Sequence, residues 1–225
     1  MRVSRPTYHS KIYREYRSID AVEWRTIIRF YELYEDKMDG LEFEESFEML
    51  LAYANALFEI GDHEKHIYAS DRILEESVMN NVKFFNGEDV FQKTLFKKAA
   101  SNFSLLELEK CDYLLREMLR IDPYFEDGSL FLKKCLRTMR PNLIKKSRAL
   151  SVLFLLVSAL IICLELLVVQ SFYPELSSLV ALVRSATLGL SVFVLIGGEL
   201  YHRLRCAREV DNFVEHLKRR KKVNG

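Results

Sequence analysis

Several kinds of chemistry are missing from this chain. Its four cysteines, Cys111, Cys135, Cys163 and Cys206, show no C-x-x-C spacing, so neither a disulfide framework nor a structural zinc site is expected. No run alternates apolar and polar residues over a useful length, which argues against a sheet. There is no Gly-rich phosphate loop and no G-x-S-x-G. His63 and His66 stand in the sequence HEKH, three apart rather than four, so they lack the spacing of a helical zinc protease. Both are read as solvated surface histidines. No enzyme, metal or cofactor is expected. The opening MRVSRPTYHSKIYREYRS lacks the apolar core of a signal peptide, so export of the bulk of the protein is not expected.

Charge is nearly balanced, with 33 Lys and Arg against 32 Asp and Glu. The acids concentrate between residues 20 and 76, and the bases near two long apolar segments and in the last helix. That distribution suits a protein lying against anionic headgroups, and it argues against nucleic acid as a ligand.

The apolar segments organise the rest. Residues 149–169 contain one ionisable group, Glu165, and residues 176–198 contain one, Arg184. About 20 predominantly apolar residues let a helix cross a bilayer. Phe172, Tyr173 and Pro174 lie between the segments and suit an interfacial turn. A two-helix transmembrane hairpin is therefore predicted over 149–200. Arg137, Arg140, Lys145, Lys146 and Arg148 precede it, Arg203, Arg205 and Arg208 follow it, and the turn has no Lys or Arg. Both termini are thus expected on the cytoplasmic side of an integral membrane protein with two spans.

Polar residues within the spans recur every seven positions: Ser151, Ser158 and Glu165 on the first, Arg184, Ser191 and Gly198 on the second. A single antiparallel register pairs 165 with 184, 158 with 191 and 151 with 198. A lone charge in hydrocarbon costs several kcal/mol, so Glu165 and Arg184 are expected to form an intramembrane pair. Ala181, Ser185 and Gly189 form a row of small residues that admits another helix backbone. With Ser158 and Ser191 they are the candidate helix-packing positions.

Ahead of the hairpin the sequence reads as all-helical. Residues 1–40 hold an arm or short helix and a first long helix opened by Asp20 and Glu23, an arrangement resembling a capping box. Trp24 is read as core. Helices follow over about 41–60, 63–79, 90–103, 106–120 and 124–138, with Gly61-Asp62, Asn86-Gly87 and Asp122-Pro123 at breaks. Residues 201–225 form a basic amphipathic helix that could lie on the inner leaflet, extend as a rod, or dock on the helical domain.

Residues 52–75 (AYANALFEIGDHEKHIYASDRILE) resemble a tetratricopeptide repeat, with Ala54 at a small position, Leu57 at a core position and Gly61-Asp62 at the turn. Residues 98–123 resemble a second repeat, with Ala99 and Cys111 at small positions and Asp122-Pro123 closing it. His66 replaces an alanine, Leu106 replaces the turn glycine, and matching positions lie about 45 residues apart rather than 34. This degenerate resemblance covers about residues 41–136 of a helical domain over 41–140. It implies stacked antiparallel helical hairpins with a concave groove for a protein partner. Groove residues would be Tyr53, Asn55 and Glu59 from one repeat and Lys97, Lys98, Ser101 and Asn102 from the other. The expected function is that of a membrane-anchored adaptor or scaffold at the cytoplasmic face. The alternative is an oligomeric membrane effector or channel component with a cytosolic sensing domain, a plan found in bacterial defence systems.

Overall fold

The computed structural model describes residues 10–38, 40–139, 142–169 and 177–223. It is all-α apart from one two-residue hairpin, and it divides into two compact units, Met1–Gly128 and Ser129–Gly225. The expected turn at 172–174 lies outside the described residues.

In the first unit, α1 (Lys11–Arg17) is capped by the Ser10 hydroxyl, which accepts from the Tyr13 amide at 3.1 Å. Two carboxylates of the helix Phe43–Ile60 hold it. Glu45 Oε1 accepts from the Ser10 amide at 3.0 Å, and Glu48 accepts from the Tyr13 hydroxyl and pairs with Arg17. The helix α2 (Trp24–Met38) starts later than the capping-box pattern suggests. Asp20 accepts from the Val22 amide instead, and the Asp20 carbonyl closes a separate turn at Glu23. One face of α2 buries Ile27, Ile28, Tyr31 and Met38.

The next helices, α3 (Phe43–Ile60) and α4 (His63–Met79), are joined by Gly61-Asp62. Gly61 takes φ +83°, a left-handed conformation that a side chain disfavours, and its neighbour's amide returns to the Leu57 carbonyl at 3.0 Å. Asp62 then caps α4 by accepting from the Lys65 amide. Two helices joined this tightly form an αα-hairpin. A short antiparallel pair, β1 (Phe84–Phe85) and β2 (Glu88–Asp89), turns through Asn86 and Gly87, both at positive φ. That Asn-Gly turn matches the twist of the strands.

Asp89 caps α5 (Val90–Ser104), and α6 (Leu108–Ile121) follows after Leu105–Glu107. Leu106, which stands where the repeat pattern has glycine, adopts φ +61°. Each helix from α2 to α6 packs on its neighbour in sequence. The core gathers Phe47, Met49, Leu50, Leu57 and Ile73, each burial contributing about 1.5–3 kcal/mol. Ala54, Ala99 and Cys111, the three small positions of the repeat pattern, are all buried.

The second unit holds most of α7 (Glu126–Met139), then α8 (Asn142–Leu164), which continues as a π-helical turn over Glu165–Val169, and α9 (Ser177–Val223). The second apolar segment and the basic C-terminal stretch form one continuous helix of 47 residues. Beyond its apolar part α9 buries His202, Cys206, Val210 and Val214, four positions each one turn apart. It is tied to α7 by a Lys133–Asp211 ion pair at 2.6 Å and by the His202 ring on the Arg137 carbonyl at 3.3 Å.

Candidate functional sites: a cleft around Lys97 and an interhelical polar stripe

Two adjoining depressions of about 190 and 280 Å³ open in the first unit. Tyr16, Ala52, Asn55, Lys93 and Lys97 line both, so the two share a border. One arm runs toward Leu51, Ile73, Phe85 and Val90, the other toward Trp24, Ile27 and Glu59. Trp24 is therefore a cleft wall as well as a packing residue.

At the junction, Lys97 Nζ donates to Asn55 Oδ1 at 2.9 Å and lies 4.9 Å from the Phe58 ring centre. Burial, together with the ammonium of Lys93 one turn earlier, lowers the Lys97 pKa. Its neighbours are paired: Lys93 with Glu88 and Lys98 with Asp71. The charges of Glu59 and Glu88 act on Lys97 in the opposite sense, favouring its ammonium form.

The residues expected to share a groove do not share one surface. Asn55, Glu59 and Lys97 face the cleft. Tyr53 points to another side of α3, stacked on Tyr31 at 4.2 Å with its hydroxyl toward Glu32. Burial and the Glu32 carboxylate raise its pKa. Lys98 is taken up by Asp71. Ser101 and Asn102 are interior: Asn102 bonds the Lys98 carbonyl of its own helix at 2.8 Å, and Ser101 meets two histidines. One turn of α5 thus places Lys97 outward and Ser101 inward, a distinction that depends on where α4 packs.

The reading of His66 as a surface residue is corrected, whereas His63 is half-buried. His66 is 2% exposed. Its Nδ1 lies 2.8 Å from Ser101 Oγ, and its Nε2 lies 3.3 Å from Ser70 Oγ. His63 Nδ1 reaches the same Ser101 hydroxyl at 3.2 Å. Burial, then the charges of Lys97 and His63, push the His66 pKa down to about 4, so the ring is neutral at pH 7. The hydroxyl–imidazole pair resembles a nucleophile and its base, but Ser101 has no exposed surface at which a substrate could be attacked.

The second site lies between α8 and α9. Both are long and apolar enough to cross a membrane, and only 17% and 6% of their apolar windows are buried. What they bury is polar: Ser151, Ser158 and Glu165 on α8, and Ser191 on α9. Leu153, Leu156, Leu160, Leu182 and Phe193 point outward. Arg184 Nη1 donates to Glu165 Oε2 at 2.8 Å. Ser191 Oγ lies 3.1 Å from both Ser151 Oγ and the Ser151 carbonyl.

The single register expected for three pairs is not the one observed. Ser191 meets Ser151 rather than Ser158, and a Cβ at Gly198 would meet Ser147 rather than Ser151. Short side chains report where backbones touch, whereas Glu165 and Arg184 are long enough to bridge an axial offset. Ser158 is left in the interface with its hydroxyl unpartnered among the described residues. Of the small-residue row, Ser185 and Gly189 are exposed, and a Cβ at Gly189 would meet nothing within 4 Å. Ala181 is half-buried, and Ser185 and Gly189 do not serve the packing against α8.

Sequence reasoning passed over Lys93, Tyr16 and the β1–β2 hairpin, although Asn86-Gly87 between short apolar runs is a hairpin signal. Compared with known protein families, curated proteins and solved structures, the chain matches none.

Proposed function

We propose that this protein is a membrane-anchored adaptor. In this reading α8 and the first half of α9 cross the bilayer as a helical hairpin, and the first unit binds a partner polypeptide on the cytoplasmic side. The observation that carries it is the inverted burial of α8 and α9: serines and an ion pair face inward while leucines face outward. Two helices in water would bury the leucines, at about 25 cal/mol per Å² of apolar surface. In a bilayer the preference reverses, because hydrocarbon solvates leucine and a buried hydrogen bond satisfies the polar groups. Basic residues ahead of the apolar part of α8 and beyond that of α9 support cytoplasmic termini. The sequential packing of α2 to α6 supports the tetratricopeptide-like arrangement and its use as a binding surface.

A second reading rests on the outward-facing Ser185 and Gly189. Ser185 is exposed and a Cβ at Gly189 would meet nothing within 4 Å among the described residues, which leaves these positions open to a second copy, as an oligomeric effector or channel component requires. Native mass of the protein extracted in mild detergent without added partner separates the two. A monomer, a dimer or a stoichiometric complex with another polypeptide supports the adaptor. A closed ring of four or more copies overturns it in favour of the effector.

A further inference from the structure

In the two-span reading, the cytoplasmic margin of the α8 and α9 pair carries positive charge that its topology does not explain. Lys145, Lys146 and Arg148 precede the apolar part of α8, with no acid between residues 142 and 148. Arg205 and Arg208 follow the apolar part of α9 within about 15 Å along its axis. All five are exposed, and among the described residues none meets a carboxylate. The acids of α9 in this region are engaged elsewhere. Glu199 pairs with Arg203, Asp211 with Lys133 and Glu215 with Arg219, and Glu209 is likewise not free. Membrane orientation depends on Lys and Arg and is nearly indifferent to Asp and Glu. Topology therefore asks for bases at this margin but not for unpaired ones.

Continuity of α9 decides which bases reach the headgroups. Its basic stretch does not turn aside to lie on a leaflet, because α9 runs unbroken from Ser177 to Val223. Its terminal bases, Arg219 to Lys222, lie about 30 Å beyond residue 198, several screening lengths away. The five unpaired bases stand instead at the edge of apolar surface. Leu150, Leu153 and Leu200 are exposed on their bilayer side, and Tyr201 is exposed beside them, where an aromatic ring suits the interface. A phospholipid uses both the charge and the apolar surface, whereas a soluble anion uses only the charge. Each residue turns a helix by about 100°. Ser147 faces Gly198 of α9, so Lys146 and Arg148 leave α8 on opposite sides of that contact. Charges spread in this way suit several singly charged headgroups better than one polyphosphorylated headgroup. We infer that Lys145, Lys146, Arg148, Arg205 and Arg208 form a collar that gathers acidic phospholipids such as phosphatidylglycerol or phosphatidylserine. This rests on the two-span reading and names the lipid that the anchor selects.

The test uses the full chain reconstituted in phosphatidylcholine vesicles that contain a trace of spin-labelled phosphatidylglycerol or spin-labelled phosphatidylcholine. Electron spin resonance reads the fraction of each label held motionally restricted at the protein surface. Phosphatidylglycerol should be preferred about fivefold at low salt, as for roughly one base acting on each headgroup. The preference should fade in about 1 M salt. Lys145→Gln, Lys146→Gln, Arg148→Gln, Arg205→Gln and Arg208→Gln together should abolish it. Arg219→Gln, Arg220→Gln, Lys221→Gln and Lys222→Gln together should leave it intact.

Equal restriction of the two labels in the wild-type chain at low salt overturns the inference, and so does a preference that ignores salt. A preference lost in the tail variant but kept in the collar variant would place the lipid contact on the tail and overturn it too. The wild-type salt series carries the test even where the collar variant fails to insert. If neither label is restricted, the chain does not span, and the two-span reading falls together with the collar.

Discussion

His66 couples fold stability to pH. In the unfolded chain its imidazole titrates near 6.5, and in the fold near 4. Between those values the unfolded state binds the proton and the native state does not, so stability falls as pH drops through that window. The stabilisation is fully present above pH 6.5 and amounts to about 2–4 kcal/mol. Urea unfolding of the full chain in micelles should show a steeper loss between pH 6.5 and 4 than His66→Gln, whose profile should be flatter across this window. A second residue carries backbone strain. Leu106 sits at φ +61° and is 74% exposed, so it has little packing to set against the left-handed conformation. Leu106→Gly should raise stability by about 0.5–1 kcal/mol, read as a higher urea midpoint with unchanged slope.

Helix pairs show which residues are used by the fold. Gly198 is in close contact with α8: a Cβ there would lie 2.4 Å from the Ser147 side chain. Gly189, on the same helix, would meet nothing. Gly189→Ala should leave thermal stability in detergent unchanged or raise it by up to about 1 kcal/mol through helix propensity. Gly198→Ala should lower it as the helices part. Glu165 and Arg184 behave as a unit. Glu165→Leu alone leaves a guanidinium in an apolar interface and should cost about 3–5 kcal/mol. Adding Arg184→Leu should recover most of that loss, because an apolar pair of similar size can replace a buried ion pair. A double variant as unstable as the single one would mean that the pair holds the helices together by more than mutual neutralisation.

For the whole molecule, the outward leucines of α8 and α9 and the basic flanks make one topological prediction. Single cysteines introduced near residue 12 and at residue 222, in a variant lacking the four native cysteines, should be shielded from a membrane-impermeant maleimide in intact cells. A cysteine at residue 173 should react. Labelling at all three sites, or at none, would contradict a two-span hairpin with cytoplasmic termini.

Helical class was legible because the local signals agree: Gly61-Asp62, Asp89 and Asp122-Pro123 punctuate apolar runs of helical length. The two apolar segments were legible for a simpler reason, since bilayer thickness sets a length that composition alone can meet. Glu165 and Arg184 stood out because nothing else in their segments is ionisable. The tertiary structure decided what depends on a neighbour's position. Whether Lys97 or Ser101 faces solvent, whether His66 is wet or buried, and whether Ser158 or Ser151 meets Ser191 each turn on rotations and shifts of about one helical turn. A heptad or repeat pattern tolerates such shifts because neighbouring registers place similar residues in contact. The packed interior does not tolerate them, because only one register fits Gly198 against Ser147 and Ser101 between two imidazoles.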